Sequence, residues 1–260
     1  MNHNIYSVKN LLEQLNLERI NKYKNGIYYF TQVELAYNSN RIEGSRLKRE
    51  HTESLFSTKT ILANQDEVIR SDDVIETTNH FRAFDYLLDS AQQLLDEEMI
   101  KEFHRILKTG TSDADISWFN LGDYKAVGNV VANRETTAPE DVEDAMHDLM
   151  DNYDAAAIHS FDQLLQFHVK FERIHPFQDG NGRVGRLIMF RECLKNDIIP
   201  FIIDADHKDF YYRGLQEYFH EPGYLRDTCL SAQDKYTVYC KKLVKDFIPK
   251  DEIQKIEYTR

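Results

Sequence analysis

Apolar residues recur at every third or fourth position along most of this chain. This spacing places them on one face of an α-helix, so the pattern predicts a mainly helical protein. Val142 and Met146 illustrate one such face. A capping-box pattern from Thr31 to Glu34 predicts the start of one helix, and Gly44 predicts its end. The predicted helices cover about 32–43, 47–64, 72–89, 97–108, 139–153, 160–173 and 183–194.

One region departs from the helical pattern. Between Gly122 and Arg134, short β-prone runs flank a Gly128 and Asn129 pair, which suits a tight hairpin turn. We therefore expect a β-hairpin at about 122–136 in an otherwise helical chain.

The composition excludes several classes of protein. Fifteen Phe and fifteen Tyr supply a core, and only five Pro argue against a disordered chain. The longest apolar run, 198–203, is too short to span a membrane, and the N-terminus lacks the pattern of a secretory signal. Three cysteines without CxxC spacing favour a reducing compartment, so we expect a cytoplasmic protein without a membrane partner.

Charge is also informative. The net charge of −12 disfavours binding to a nucleic-acid backbone, which normally requires clustered Lys and Arg. The strongly acidic stretches 72–98 and 135–154 are typical of solvated helix faces, and we interpret them in that way. An anionic ligand would therefore have to be held by a local group of residues.

The segment 175–186, which reads HPFQDGNGRVGR, is the most unusual part of the chain. Pro176 ends the preceding helical pattern. Gly180 and Gly182 allow compact turns that direct successive N–H groups to one point, and a helical pattern resumes at Arg183. These features predict an anion-binding nest at a helix N-terminus.

The side chains of this segment match the needs of a nucleoside triphosphate. Arg183 and Arg186 carry guanidinium groups that form forked hydrogen bonds with phosphate. Asp179 is a suitable ligand for Mg²⁺, and His175 has the usual pKa range of a general base. We therefore predict phosphoryl-type transfer at this site.

Other readings of the segment fit less well. A calcium loop would carry Glu at the twelfth position from Asp179, where this chain has Phe190. The GxxxxGK(S/T) pattern of a P-loop is missing. His168 and His175 lie seven residues apart without a third zinc ligand nearby.

The segment resembles the signature of the Fic family, HPFx(D/E)GNGRxxR, at every specified position. The region 122–142 is similar to the family's flap, and 199–203 followed by Tyr211 and Tyr212 is similar to its closing segment. The resemblance implies a mainly α Fic fold, a helical bundle with a β-hairpin flap over the active-site loop. It also implies an N-terminal helical region at 1–90 that includes an inhibitory helix at about 31–44, a Fic core at 91–222 and a C-terminal helical extension at 223–260.

The resemblance implies an enzyme, a protein adenylyltransferase that transfers AMP from ATP to a Ser, Thr or Tyr hydroxyl of a target protein. His175 would be the catalytic base, Asp179 the Mg²⁺ ligand and Phe177 the anchor of the loop. Kinase-like relatives carry Lys where this chain has Gly182, whereas Phe219 replaces an Asn seen in some relatives. The implied nucleotide-binding residues are Asp179, Gly180, Asn181, Gly182, Arg183, Val184, Gly185, Arg186, Val131, Ala132, Asn133, Arg134 and Tyr211.

The segment from Ser39 to Gly44 resembles the family's inhibitory motif, (S/T)xxxE(G/N). Ser39 and Glu43 are four residues apart and so share a helix face. The resemblance implies that Glu43 pairs with Arg186 and occupies the place of the γ-phosphate. The alternative is an ordinary helix end in which Glu happens to precede Gly.

The sequence is compatible with several functions. The same fold could transfer another nucleotide or phosphate-linked group, or remove AMP from the same target. A module that binds nucleotide as a signal without catalysis is the alternative from another class. The resemblance implies a target bound along the flap, with the chain itself as one candidate, and it leaves a homo-oligomer open.

Overall fold

The computed structural model describes residues 8–61, 63, 66–131 and 134–244. This described part consists of helices joined by short loops, together with one small strand pair, and the predicted mainly helical class is therefore correct. The helices are α1 (Val8–Asn21), α2 (Ile27–Ile42), α3 (Arg49–Thr58), α4 (Ser71–Ser90), α5 (Glu97–Lys108), α6 (Val142–Tyr153), α7 (Phe161–Ile174), α8 (Asn181–Lys195), α9 (Lys208–Glu217) and α10 (Gly223–Leu243). The strands are β1 (Val130–Val131) and β2 (Arg134–Glu135).

Helix α8 is the centre of the fold. Every residue from Asn181 to Leu194 is buried, because α1, α2, α4, α5 and α7 all pack against this helix. Phe190 contacts the rings of Phe84 and Tyr236 edge-on from two sides. A helix enclosed in this way holds its N-terminal residues in a fixed position, and those residues belong to the segment 175–186.

The predicted start of α2 is wrong. The helix begins at Ile27, and Thr31 lies inside it with its hydroxyl 2.7 Å from the carbonyl of Ile27. The first turn is stabilised from outside the segment, since the Tyr28 N–H donates to the Glu18 carboxylate of α1 at 2.8 Å. A capping group from another helix leaves no local pattern at Ile27.

The extended hairpin flap expected at 122–136 is not seen. The strands β1 and β2 contain two residues each and pair antiparallel, with Val130 opposite Glu135. The Gly128 and Asn129 pair precedes β1, so the predicted turn at this pair is wrong. Asn129 instead contacts other groups: its Nδ2 donates to the carbonyl of Phe177 at 3.2 Å, and its Oδ1 accepts from Lys125 Nζ at 2.9 Å.

None of the helices in the described ranges combines the length and apolar character needed to cross a membrane. The predicted division at residues 90 and 222 is not tested by the fold and stays a prediction.

Helices α9 and α10 pack at very short range around Gly214. A Cβ atom built on this glycine would lie 2.7 Å from the Leu225 Cα, which is a backbone atom and cannot rotate away. The predicted helices did not include α9, which carries Tyr211 and Tyr212 and faces the end of α2.

We expect Gly214→Ala to lower the free energy of unfolding by about 1–3 kcal/mol, because the methyl group forces the two helix backbones apart. Urea denaturation measures this change. Gly128→Ala is the matched control, since no atom lies within 4 Å of the added Cβ. Equal unfolding midpoints for both variants would show that the α9 and α10 contact tolerates the methyl group.

Candidate active site

The loop between α7 and α8 contains the predicted catalytic residues. His175 caps the C-terminus of α7 with a φ of 53°, and its N–H donates to the Phe171 carbonyl at 2.9 Å. Gly180 adopts a φ of 82° just before α8 begins at Asn181. The chain therefore reverses between two packed helices and presents the N-terminus of α8 at the predicted anion nest.

The side chain of Asn181 closes this loop. Its Oδ1 accepts from the Phe177 N–H at 2.8 Å, and its Nδ2 donates to the Phe177 carbonyl at 2.7 Å. The Phe177 ring is fully buried and stacks on His104 with centroids 4.1 Å apart. Phe177 therefore packs in the core, and Asn181 ties the backbone of the loop to the start of α8.

The imidazole of His175 is half-buried beside the loop. Burial and, to a smaller extent, the nearby Lys125 ammonium lower its pKa to about 4. The ring is therefore neutral at pH 7 and can accept a proton, which is the state that a general base requires.

Asp179 provides an ionised carboxylate at the edge of the nest. Although burial acts in the opposite direction, Arg183 and Lys108 hold its pKa well below the usual range. Its Oδ2 accepts from Lys108 Nζ at 2.7 Å and from Arg183 Nη2 at 2.9 Å, and 46% of the side chain is exposed. An exposed anionic oxygen ligand fits Mg²⁺, which takes one or two carboxylates and fills its other positions with phosphate oxygens and water. The described residues contain no group of three or more metal-binding side chains arranged around one ion, so the phosphates would have to supply further ligands.

Both arginines of the segment are already paired with carboxylates. Arg183 Nη1 lies 2.6 Å from Glu76 Oε2 on α4, in addition to its contact with Asp179. Arg186 Nη2 lies 2.8 Å from Glu43 Oε1, and this guanidinium also donates to the hydroxyl and the carbonyl of Ser39 at 3.0 Å each. The two side chains point to different partners although they share a helix.

The carboxylate of Glu43 lies close to Gly182, in the first turn of α8. A Cβ atom built on Gly182 would be only 2.2 Å from Glu43 Oε1. Helix α2 ends here, and Gly44 follows with a φ of 95°. A negative group therefore occupies the N-terminus of α8, where the sequence predicts a phosphate.

Two tyrosines of α9 occupy different environments near Arg186. Tyr211 is 1% exposed, and its hydroxyl lies 2.6 Å from His168 Nε2. Tyr212 is 42% exposed and donates to the Ile42 carbonyl at 3.3 Å. In this arrangement Tyr212, rather than Tyr211, borders the open side of the site. The predicted nucleotide contact of Tyr211 stays a prediction.

The remaining predicted residues are placed as follows. Val184 and Gly185 are buried in the first turns of α8, with the Gly185 backbone close to Glu172. The backbones of Val131 and Arg134 form the strand pair, whereas Ala132 and Asn133 lie outside the described residues.

Three charged side chains at the site were missed by the sequence reasoning. Glu76 and Lys108 pack against Asp179 and Arg183, and Lys125 lies near His175. Glu76 belongs to the acidic stretch that was interpreted as a solvated face, which is wrong for this residue. Glu76 lies four residues before His80 and so shares a helix face with this buried residue, and that spacing was the available signal.

Glu172 is a further buried acid beneath the loop. Burial raises its pKa to about 7, although Arg186 partly offsets this effect. Its Oε1 has no hydrogen-bond partner among the described residues and lies 3.9 Å from His168 Nε2. The folded protein therefore favours the neutral form of this side chain.

The comparisons with known proteins agree with this fold and loop. Residues 94–193 match the model of the Fic/DOC family. A structure of a Fic domain containing signaling protein from Bacteroides thetaiotaomicron superposes with a TM-score of 0.67 at 23% identity, covering 92% of this chain and 90% of that one. The structure of Fic-1 (aa134–508) from C. elegans gives a TM-score of 0.67 at 18% identity, with 90% and 70% coverage. The chain therefore has the Fic fold, and its residues 94–193 are similar to the Fic/DOC family.

Curated relatives extend this result. The protein adenylyltransferase Fic of Nematostella vectensis is 26% identical over 200 residues, which cover 74% of this chain and 44% of the relative. The chain thus spans less than half the length of the curated relatives that it matches.

We expect Glu172→Gln to change the stability of the protein only at higher pH. The folded-state pKa lies above the unfolded value, so ionisation of Glu172 costs stability progressively as the pH rises from about 4.5 to 7. The variant should unfold at the same temperature as wild type at pH 4 and at a higher temperature at pH 8. Glu140→Gln, at an exposed position, is the control and should match wild type at both values. If Glu172→Gln unfolds at the same temperature as wild type at pH 8, the pKa of Glu172 is not raised.

Proposed function

We propose that the chain is a protein adenylyltransferase that transfers AMP from ATP to a Ser, Thr or Tyr hydroxyl of a target protein. The observation that carries this proposal is the Glu43 carboxylate beside Gly182 and Arg186, because an anion at this helix N-terminus supports the binding of a phosphate there. The curated relatives are named protein adenylyltransferase Fic, which supports the same activity.

In this proposal the nest and the arginines bind the triphosphate. The N–H groups at Gly180 to Gly182 hold one phosphate. Val184 and Gly185 are the buried residues of α8 that follow this turn in the chain. Arg186 binds the terminal phosphate once Glu43 has moved away. Arg183, which also pairs with Glu76, contributes a second positive charge to the phosphates. Val131, Ala132, Asn133, Arg134 and Tyr211 are the further nucleotide contacts proposed by resemblance.

His175 acts as the general base. Its neutral imidazole takes the proton of the target hydroxyl while the hydroxyl oxygen forms a bond to the α-phosphorus. The bond from the α-phosphorus to the bridging oxygen of the β-phosphate breaks, and pyrophosphate leaves. Mg²⁺ bound through Asp179 would supply neutralisation of the phosphate charge. Phe177 and Asn181 keep the imidazole and the nest at a fixed separation, which is the positioning that this chemistry needs.

The contact of Glu43 with Arg186 acts as an internal brake. It removes the guanidinium that the terminal phosphate needs and places a like charge at the same point. Ser39 strengthens the brake, since its hydroxyl and carbonyl hold the same guanidinium, and Gly44 ends the helix that presents Glu43.

The target is proposed to bind along β1 and β2. Pairing with a strand edge recognises the main chain of an extended segment and places little restriction on its side chains.

Three free, buried thiols support a cytoplasmic location. The inhibitory region at 1–90, the core at 91–222 and the extension at 223–260 remain the proposed division, and we propose that inhibition can involve a homo-oligomer. Nucleic acid and membranes are not proposed as partners.

We expect Glu43→Gly to raise AMP transfer by about tenfold or more, because losing a charged hydrogen bond of about 1.5–3 kcal/mol frees Arg186 for the nucleotide. The measurement is incorporation of label from ATP labelled on the α-phosphate into proteins of a cell lysate. Glu34→Gln is the matched control on the same helix, since Glu34 pairs with Arg49 and not with Arg186. Adding His175→Ala to Glu43→Gly should abolish the label.

The outcomes separate the alternatives. Equal labelling by wild type and the Glu43 variant would remove the brake from the proposal. Label that appears only from γ-labelled ATP would indicate a kinase, and preference for another nucleotide would identify a different transferred group. Nucleotide binding without any transfer would indicate a sensing module.

A further inference from the structure

A buried lysine contacts the proposed metal ligand directly. Lys108 lies at the end of α5, only 1% of its side chain is exposed, and its Nζ is 2.7 Å from Asp179 Oδ2. The same ammonium lies 2.7 Å from Glu76 Oε1 and 2.8 Å from Asp113 Oδ2. Three carboxylates from three different segments therefore converge on one fixed positive charge.

Glu76 connects this lysine to the nest. Its Oε1 binds Lys108 and its Oε2 binds Arg183, while Asp179 Oδ2 accepts from both of these cations. The four side chains form a closed ring in which each carboxylate touches both cations. A displacement of Lys108 would therefore change the position of Asp179 and Arg183 together.

The ammonium occupies the space between the three carboxylates, which do not form a metal site of their own among the described residues. Hard cations bind carboxylate oxygens, and a lysine Nζ that already fills the space between them repels a second positive charge. A free divalent cation must then compete with Lys108 for Asp179. A cation that arrives on a triphosphate brings its own oxygen ligands and depends less on the three carboxylates.

We infer that Lys108 is a positioning residue for the predicted metal site, which fixes Asp179 and makes divalent-cation binding depend on the nucleotide. This inference rests on the proposed function, because it assigns a regulatory contact to the same site. The helix α5 that carries Lys108 also carries His104, on which Phe177 stacks, so one helix supports both the loop and its carboxylate.

The test is a titration of the full chain with Mn²⁺ alone, followed by the electron paramagnetic resonance signal of free Mn²⁺. Wild type should bind Mn²⁺ weakly without nucleotide and more tightly when a non-hydrolysable ATP analogue is present. Lys108→Met should bind Mn²⁺ without nucleotide about tenfold or more tightly than wild type, because a competing charge is removed from between the carboxylates. Adding Glu76→Gln to this variant should weaken binding again.

Lys101→Met is the matched control. Lys101 lies on the same helix but pairs with Asp123 and Glu98, so its loss should leave Mn²⁺ binding unchanged. Circular dichroism confirms that each variant is folded. If Lys108→Met fails to fold, Lys108→Gln, which keeps hydrogen-bond donors for the carboxylates, is measured in the same way.

Mn²⁺ affinity without nucleotide that stays within about twofold of wild type in the folded Lys108 variant would overturn the inference. A purely structural lysine would give that result together with a lower melting temperature. The measurement needs no AMP transfer, so the two proposals can fail separately. Transfer by Glu43→Gly with unchanged Mn²⁺ binding in the Lys108 variant would reject only the inference, and the converse would reject only the proposed activity.

Discussion

Burial of three guanidinium groups in helix α8 is the constraint on which the site depends. Arg183, Arg186 and Arg191 lie on a helix that is enclosed by other helices, and each is at most 6% exposed. A buried charge is tolerated only when a partner of opposite sign compensates the lost hydration. Each arginine therefore requires an anion or several carbonyl groups, and the surrounding helices must supply them.

The three arginines meet this requirement in different ways. Arg191 contacts Glu192 and the carbonyls of Ser90 and Gln93, none of which belongs to the loop 175–180, so it serves the fold. Arg183 and Arg186 lie in the first turns of the helix, where the partners come from α4, α2 and the loop. Because those partners belong to separate segments, the electrostatic balance at the start of α8 links the N-terminal helices to the catalytic loop. In our proposal, stabilisation of the fold and inhibition of the enzyme thus use the same ion pairs.

The sequence predicted the helical class, the position of α5 and a turn between two helices within 175–186, because periodicity and the Pro and Gly positions are local signals. The second helix begins at Asn181, two residues before the predicted start at Arg183. It also predicted the contact between Glu43 and Arg186, which the structure shows at 2.8 Å, through a resemblance rather than through periodicity. It misplaced the start of α2, since the capping carboxylate of Glu18 comes from another helix. Glu76 and Lys108 were missed for the same reason: the contacts that join them to each other, to Asp179 and to Arg183 connect residues 32 to 107 positions apart along the chain.

The close approach of Glu43 to Gly182 has a consequence for how the chain can vary. Because glycine has no side chain at this position, the Glu43 carboxylate can come close to the backbone of α8 and still reach Arg186. A Cβ atom at residue 182 would lie 2.2 Å from Glu43 Oε1, so a larger residue would force that carboxylate to move. The contact between Glu43 and Arg186 is therefore sensitive to residue 182 as well as to residue 43, and a change at either position alters it.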